Sequence, residues 1–199
     1  MGKIRPPDRV MLFAGLLYCA GEEQKQEQNQ NQKQNQKQLS AAINALTGAF
    51  GPLLLETGPS PWHSVYYANE LGCTGVKRKF LFFERLICPG LLADIKLGTN
   101  GMESALSEGG QRKINIDPGY ITPARIVLAS TKDYAHRVYL QKGIYAEVTM
   151  LWSRKERTFM PHLFTYTDFR DDTNIKVFSE MREWLQAQLA APLPLQDCE

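Results

Sequence analysis

The chain has 199 residues, of which 43% are hydrophobic and 22% are charged, and its formal net charge is +2. This length suits one sizeable core and is short for two, so we expect a single domain over residues 1–199. A charge so close to neutral excludes proteins that are drawn to nucleic acid or anionic membrane by their overall field, and leaves only local patches for such binding.

The apolar run from Val10 to Ala20 follows several basic residues and contains Cys19, so this region imitates a signal peptide. The imitation is imperfect, because Tyr18 is bulky where a small residue should precede the cysteine. The run is also far too short to span a bilayer. We therefore expect a buried first strand and no membrane partner.

Residues 22–38 consist almost entirely of Glu, Gln, Asn and Lys and contain no apolar side chain that could anchor them to a core. Burial cannot offset the entropy of ordering such a tract, so we expect a disordered surface loop inserted into the domain. A fluctuating helix is the alternative, because Gln, Glu and Lys are acceptable helix formers.

The remaining elements follow from hydrophobic periodicity and turn residues. Residues 39–50 have apolar side chains at helical spacing before Gly51-Pro52, which predicts a short helix with a C-terminal cap. A second helix is predicted over 91–106, interrupted or bent around Gly98 and Gly101. The last helix is predicted to begin near Asp172. Extended segments are predicted at 53–56, 64–71, 78–87, 112–116 and 124–129.

Two further strands are predicted around Gly143, and their pattern selects a register. A three-residue loop of Gln141-Lys142-Gly143 places Arg137 opposite Glu147, Tyr139 opposite Tyr145, Val138 opposite Ala146 and Leu140 opposite Ile144. A two-residue loop would mix polar and apolar side chains on both faces, so we prefer the first register.

Strands that cluster without regular β-α alternation predict an α+β fold, with a mainly antiparallel sheet and helices packed on it. The first part, strand-helix-strand-strand-helix-strand, suits a ferredoxin-like core with added strands.

The chain also resembles an uncharacterised, mainly prokaryotic family known as domain of unknown function 4416. The resemblance spans nearly the whole chain but implies no established activity. Its segments include residues 10–17 (VMLFAGLL), 78–87 (RKFLFFERLI), 115–120 (NIDPGY), 128–133 (LASTKD), 136–140 (HRVYL), 143–149 (GIYAEVT) and 165–169 (TYTDF).

Asp117 precedes Pro118-Gly119, where a tight type II turn would project its carboxylate rigidly as a base or metal ligand. Capping of the turn amides is the structural alternative. Asn115 and Tyr120 add neutral donors beside this carboxylate and could equally satisfy loop backbone.

His136 and Arg137 adjoin Lys132-Asp133, so one turn could combine a proton carrier, an anion clamp and a counter-ion. Neighbours in a strand point to opposite faces, however, and a structural salt bridge between Arg137 and Glu147 is the alternative.

Two other charged groups carry weaker signals. Lys77-Arg78-Lys79 could form a basic patch, although charged residues at strand ends are usually solvated. Asp168 and Asp171-Asp172 are read as turn and N-cap residues.

No motif identifies a known enzyme class or cofactor. The sequence has no G-x-x-x-x-G-K-[ST], G-x-G-x-x-G after a strand, or G-x-S-x-G. His63, His136 and His162 are far apart with no H-E-x-x-H spacing, so we expect no zinc site formed by neighbours in sequence. The cofactor is unknown, and a divalent metal is possible but not indicated. The four cysteines show no C-x-x-C spacing, and we expect reduced thiols in a cytoplasmic protein.

The leading hypothesis is a polar cleft that binds a small anionic or phosphorylated ligand, such as a nucleotide. Whether turnover follows is open, and its candidate catalytic residues are Asp117, His136 and Glu147. The candidate ligand-binding residues are Asn115, Tyr120, Lys132 and Arg137. The alternative is a non-catalytic interaction module that binds RNA or a protein partner.

Overall fold

The structure, a computed structural model, describes residues 2–20, 29–62, 65–73 and 75–191. The helices in these residues are α1 (Asn29–Phe50), α2 (Val65–Leu71), α3 (Leu92–Ala105) and α4 (Asp172–Ala190), with short 3-10 turns at Pro89–Leu91 and Thr167–Arg170. The strands are β1 (Val10–Cys19), β2 (Leu53–Glu56), β3 (Ser60–Pro61), β4 (Val76–Ile87), β5 (Ile114–Ile121), β6 (Arg125–Ser130), β7 (Val138–Gln141), β8 (Ile144–Ser153) and β9 (Thr158–Pro161).

The described strands form an open sheet in the order β2-β4-β1-β5-β6-β8-β7, with β3 beside β4 and β9 beside β8. Antiparallel registers join β2 and β3 to β4, β5 to β6, β6 to β8, and β7 and β9 to β8. Apart from β3 and α2, which lie between β2 and β4, the succession β1-α1-β2-β4-α3-β5 is the β-α-β-β-α-β order of a ferredoxin-like core, to which β6–β9 are added. The predicted α+β class is confirmed.

Contacts divide the chain into two compact units, which are described separately. Unit 1 comprises Met1–Phe13, Arg85–Ile95 and Pro118–Glu199. Unit 2 comprises Ala14–Glu84 and Lys96–Asp117. The single domain stays a prediction.

Unit 1 is organised by aromatic packing beneath α4. Phe178 lies 5.0 Å from Phe13 and 5.3 Å from Phe169, between ring centroids, and all three rings are buried. α4 begins after Asp171, whose side chain accepts from the amides of Thr173 and Asn174, as predicted for an N-cap residue.

Unit 2 is built on β4 and on β1, which continues from unit 1. β1 is buried along all ten residues, so the predicted buried first strand is confirmed. Beside it, Leu17 packs in a buried cluster with Leu71 and Val76.

α1 begins earlier than its apolar spacing predicts, because it includes residues 29–38 of the polar tract. For these residues the structure has the helical alternative rather than the disordered loop. Gln38 is buried, and the Gln34 amide donates to Glu108, so tertiary contacts assist residues that already have fair helix propensity. Residues 21–28 lie outside the described part of the chain. α1 ends as predicted at Gly51, which has a φ of 95°.

Two predictions for the middle of the chain were wrong. The segment predicted as extended over 64–71 is helical from Val65, because Tyr67, Ala68 and Leu71 pack together at helical spacing. The predicted interruption of the helix at Gly98 and Gly101 was also wrong, because α3 runs through both residues and its packing outweighs the modest cost of glycine in a helix.

The predicted type II turn at Asp117-Pro118-Gly119 was also wrong, because β5 continues through all three residues to Ile121. A Cβ on Gly119 would lie 2.5 Å from the Val127 carbonyl oxygen and 2.6 Å from Phe13 Cζ. Glycine is therefore required here for the close approach of a neighbouring strand and ring rather than for a turn.

The hairpin register is confirmed for Val138 with Ala146 and for Tyr139 with Tyr145. At the turn, Gln141 rather than Leu140 lies opposite Ile144, with an irregularity between Tyr139 and Gln141. Lys142 and Gly143 both have positive φ, 53° and 75°, as a two-residue hairpin turn requires. The extra residue in β7 restores the pairing that a three-residue loop would have given.

The expectation of reduced thiols was wrong for two of the four cysteines. Cys19 and Cys73 form a disulfide across a separation of 54 residues. Spacing could not reveal this pair, because the fold brings together the end of β1 and the residue that follows Gly72. Cys88 is a free thiol, and Cys198 lies outside the described residues.

Candidate functional site

The first candidate site is the hairpin cluster in unit 1, made of Lys132, Tyr134, His136, Arg137, Glu147, Phe164 and Tyr166. At its centre Arg137 Nε donates to Glu147 Oε2 at 2.7 Å, and each side chain is only 2% exposed. The predicted pairing across the hairpin is thus confirmed. A buried pair of this kind is tolerated only when its remaining polar groups are also satisfied.

Arg137 meets this condition through contacts with several segments. Its Nη1 donates to Ser130 Oγ at 2.6 Å and to the Lys132 carbonyl at 2.9 Å, and its Nη2 donates to the Tyr166 hydroxyl at 2.7 Å. The guanidinium also lies 4.6 Å from the centre of the Tyr134 ring. Arg137 therefore joins β6, the loop before β7 and the segment before α4.

The charge of this cluster is fixed by the same contacts. Burial alone would lower the pKa of Arg137, but hydrogen bonds and electrostatic interactions with Glu147 and Tyr166 outweigh it and raise the pKa. A guanidinium held in this way is a permanent cation that orients its neighbours.

His136 completes the solvent-facing side of the cluster. Its Nε2 lies 3.1 Å from Glu147 Oε2, so both basic side chains share one carboxylate oxygen. Its ring stacks on Phe164 at 4.4 Å with an interplanar angle of 4°. The His136 side chain is 17% exposed, and Phe164 is exposed.

The segment after β9 positions Phe164 and Tyr166, which were not predicted to belong to the polar cleft. His162 Nε2 hydrogen-bonds the Val148 carbonyl, and Thr165 Oγ1 donates to the Thr149 carbonyl at 2.5 Å. These two bonds hold the segment along β8 between β7 and β9. No local sequence motif predicts this arrangement, because it depends on the direction in which the chain leaves β9.

The second candidate site is the partly buried charge network of unit 2, made of Glu70, Arg78, Lys96, Glu103, Arg112, Asn115 and Asp117. Asp117 Oδ2 accepts from Asn115 Nδ2 at 2.7 Å and from Arg78 Nη1 at 3.3 Å. Lys96 Nζ lies 3.6 Å from Asp117 Oδ1 and donates to the Ile116 carbonyl at 2.8 Å. Asp117 therefore binds side chains from β4, α3 and β5, not the amides of a turn.

Arg112 connects the rest of this network. Its Nη1 donates to Asn115 Oδ1 at 2.7 Å and lies 3.1 Å from Glu70 Oε1, while its Nη2 lies 3.4 Å from Glu103 Oε2. Glu103 also accepts from the Ile116 amide at 2.5 Å. The three cations face three carboxylates, so the network is neutral when every group is charged.

The two inner carboxyl groups have opposite pKa shifts. Burial raises the pKa of Asp117, but Lys96, Arg78 and Asn115 outweigh it and hold the pKa below its usual value. For Glu103 burial dominates, so the pKa is raised despite Lys96 and its other favourable partners. Asp117 is therefore a stable carboxylate, and Glu103 takes up a proton more readily than an exposed glutamate.

The expectation that the charged side chains of Lys77-Arg78-Lys79 are solvated was wrong for Arg78, which is 4% exposed. Its guanidinium lies 5.3 Å from the centre of the Trp62 ring and pairs with Asp117. Lys79 forms an ion pair with Glu56. Only the tertiary structure reveals this, because it shows that the face of β4 that carries Arg78 is buried, whereas Lys77 and Lys79 on the other face are half-buried.

The predicted site residues therefore fall into two groups. Lys132, His136, Arg137 and Glu147 are brought together in unit 1, whereas Asn115 and Asp117 are brought together in unit 2. Tyr120 packs against the apolar cluster of Leu92, Ala93, Val127, Ala129 and Ile144, and burial raises its pKa. A cleft common to all of these residues stays a prediction.

Within residues 2–20, 29–62, 65–73 and 75–191, no group of three or more His, Cys, Asp or Glu side chains is arranged to hold a metal ion. In the same residues, no helix is both long enough and apolar enough to cross a membrane.

The fold and the two sites define an α+β protein with a ferredoxin-like core and extensive buried ion pairing. The family described as Domain of unknown function (DUF4416) matches residues 30–185, and the chain belongs to that family. A search of curated proteins found no match, and a search of solved structures found none either.

Proposed function

We propose that the hairpin cluster binds a small anionic ligand on the solvent-facing side of the Arg137–Glu147 pair. The observation that carries the proposal is the placement of His136, which is held by a buried carboxylate and stacked flat on an exposed phenylalanine ring. This places a group able to carry positive charge beside exposed aromatic surface.

A phosphorylated ligand with an aromatic base, such as a nucleotide, suits this surface best. Tyr134 and Phe164 are about half exposed, and such rings provide stacking faces for a base. Lys132 is exposed in the loop before β7 and can donate to a phosphate together with His136. Arg137 acts as a positioning residue, because protein groups already accept its hydrogen bonds.

The proposal concerns binding. If turnover follows, His136 is the proposed proton carrier and Glu147 the carboxylate that orients it. The proposed location is the cytoplasm. A permanent disulfide would be uncommon there.

A thermal-shift titration of the full chain tests this proposal, using orthophosphate and nucleoside mono-, di- and triphosphates with and without Mg²⁺. A ligand that binds the folded state at about 100 times its Kd should stabilise it by about 2.7 kcal/mol. Lys132→Ala should weaken binding about tenfold at nearly unchanged ligand-free Tm, since a charge-assisted hydrogen bond contributes about 1.5 kcal/mol or more. In this variant the backbone carbonyl of residue 132 can still accept the hydrogen bond from Arg137.

Lys155→Ala is the matched control, because the Lys155 side chain is 92% exposed and lies in the turn between β8 and β9. It should leave the ligand-induced shift unchanged. The proposal fails if no phosphate or nucleotide raises Tm, or if Lys132→Ala and Lys155→Ala behave alike.

The alternative function, an interaction module for a protein partner, is favoured by the edge strand β7. β7 ends the strand order, and Val138, Tyr139 and Leu140 are 70%, 56% and 41% exposed. An extended peptide of a partner could add to this edge as a further strand and place alternate apolar side chains against it. The RNA version has weaker support, because Arg78 is buried and Lys79 is paired.

Selection of extended peptides against the full chain tests the protein-partner version. Peptides that bind β7 should lose at least about tenfold in affinity with Val138→Lys, since a charge is placed in an apolar contact. Met160→Lys, on β9, should have little effect. Equal affinity for both variants would exclude this edge as the docking site, and steep salt dependence of RNA binding would instead revive the nucleic-acid version.

A further inference from the structure

The Cys19–Cys73 disulfide lies at one end of a chain of contacts that reaches Asp117. Cys19 is the last residue of β1 and is 5% exposed, whereas Cys73 follows α2 and is half-buried. Their Cα atoms are 6.1 Å apart. The bond therefore ties α2 to the end of a core strand.

α2 depends on such attachments because it has only seven residues. An isolated helix of this length is unstable in water, so tertiary contacts must hold it. Tyr67, Ala68 and Leu71 pack in the same apolar cluster as the two cysteines. The Cys73 amide donates to the Ala68 carbonyl at 3.0 Å and closes the end of the helix.

α2 also places Glu70 in the partly buried charge network of unit 2. Glu70 Oε1 lies 3.1 Å from Arg112 Nη1, and the same nitrogen donates to Asn115 Oδ1 at 2.7 Å. Asn115 in turn donates to Asp117 at 2.7 Å. The position of α2 is thus coupled to Asp117 through two hydrogen-bonded side chains, all within unit 2.

We propose that the Cys19–Cys73 bond is a redox-sensitive clamp whose reduction loosens α2 and, through Glu70 and Arg112, the hydrogen bonds around Asp117. The reductant is a dithiol. Its thiolate attacks the Sγ of Cys73, which is the more exposed of the two residues, breaks the S–S bond and releases Cys19 as a thiolate that takes up a proton. The second thiolate of the reductant then attacks the mixed disulfide and releases Cys73, and the reductant leaves as a disulfide, so two electrons pass to the protein.

The inference does not depend on ligand binding in unit 1. In a reducing compartment, a disulfide that forms and breaks has a regulatory role, whereas one that never breaks is purely structural. A regulatory disulfide is distinguished from a structural one by local loosening of α2 under reducing conditions that leave the rest of the fold intact.

The first measurement is thiol labelling of the full chain, denatured after equilibration in buffers of oxidised and reduced dithiothreitol from oxidising to reducing. The number of labelled cysteines should rise by two across this range, and Cys88→Ser should show the same rise. Cys73→Ser should show no rise. Absence of the step in the wild type, with the bond either always open or always closed, overturns the proposal.

The second measurement is hydrogen exchange with and without dithiothreitol. Amides of residues 65–73 and the amide of Ile116, which donates to Glu103, should exchange at least about tenfold faster after reduction, while the rest of the chain changes little.

Glu70→Gln separates the clamp from its coupling to the network. It should keep the effect of dithiothreitol on residues 65–73 but abolish the effect on Ile116, because the ionic link to Arg112 is weakened. Uniform acceleration along the whole chain, or acceleration of α2 alone in the wild type, would contradict the coupling.

Discussion

Arg78 on β4 reaches across β1 to Asp117 on β5, with 3.3 Å between Arg78 Nη1 and Asp117 Oδ2. The residue of β1 that leaves room for the guanidinium is Gly15. A Cβ at this position would lie 2.8 Å from Arg78 Nη1 and 3.2 Å from Phe80 Cε1. The ion pair therefore depends on the absence of a side chain in the strand between its partners.

Gly15→Ala should consequently destabilise the protein, because the methyl group displaces the Arg78 guanidinium from Asp117. Overpacking of this kind costs about 1–3 kcal/mol. The measurement is urea unfolding at neutral pH. Gly48→Ala is the control, since a Cβ at Gly48 in α1 meets nothing within 4 Å and should stabilise the helix by about 0.5–1 kcal/mol. Equal effects of the two substitutions would contradict the role of Gly15.

Asp117 should stabilise the fold in a pH-dependent way. Because its pKa in the folded state lies below the usual 3.8, its contribution is present above pH 3.8 and is lost as pH falls through the lowered pKa. Asp117→Asn leaves Arg78 and Lys96 without their carboxylate, which should cost about 3 kcal/mol at neutral pH. In urea unfolding measured from pH 7 downwards, the difference in unfolding free energy between the wild type and Asp117→Asn should become smaller below pH 3.8. A difference that does not change with pH would exclude the ionised form of Asp117 as the stabilising partner of Arg78 and Lys96.

Glu103 should show the opposite dependence. Its pKa in the folded state is raised above the usual 4.5, so its contribution is full below pH 4.5 and is lost as pH rises through the raised pKa. The unfolding free energy of wild type minus that of Glu103→Gln should therefore fall between pH 4.5 and neutrality. The glutamine keeps an acceptor for the Ile116 amide, which limits other changes. A difference that rises over this pH range would show that the neighbouring cations affect the pKa of Glu103 more than burial does.

Arg137 and Glu147 should behave as a mutually dependent buried pair. Removing either partner leaves the other as an uncompensated buried charge, so Arg137→Met or Glu147→Gln should each cost about 3–5 kcal/mol. A double-mutant cycle with both substitutions should give a coupling energy of about 1–3 kcal/mol.

The exposed pair of Lys155 and Glu156 is the control for this cycle, with side chains 92% and 52% exposed. Its coupling should be about 0–1 kcal/mol, because solvent screens exposed ion pairs. Comparable coupling in the two cycles would mean that the hairpin cluster is not the rigid scaffold that the proposed ligand site needs.

Local pattern was sufficient for features that depend on neighbours in sequence. It predicted β1, the cap at Gly51, the pairing of Val138 with Ala146 and the start of α4. It also predicted the Arg137–Glu147 pair, because a hairpin converts a short separation in sequence into contact.

Features set by distant segments were missed for a common physical reason. Arg78 is charged and near a strand end, and only the burial of β4 and the glycine in β1 make it an internal cation. Phe164 and Tyr166 join the hairpin cluster through bonds made by the segment after β9. The Cys19–Cys73 bond likewise depends on a meeting of segments 54 residues apart.

The Pro118-Gly119 pair is the clearest case of a local signal overruled by packing. Turn statistics predict a type II turn, but Gly119 lies in β5, with no room for a Cβ between the Val127 carbonyl and the Phe13 ring. Gly119→Ala should therefore cost about 2–3 kcal/mol through overpacking. Urea unfolding measures this cost.

Gly98→Ala is the matched control, because a Cβ at this exposed position of α3 meets nothing within 4 Å and should be neutral or stabilising. In the wild type, the Gly119 Hα resonance should also be shifted by the ring current of Phe13, and Phe13→Leu should remove that shift. Tolerance of alanine at residue 119, together with an unshifted Hα, would favour an open turn over a strand pressed against the ring.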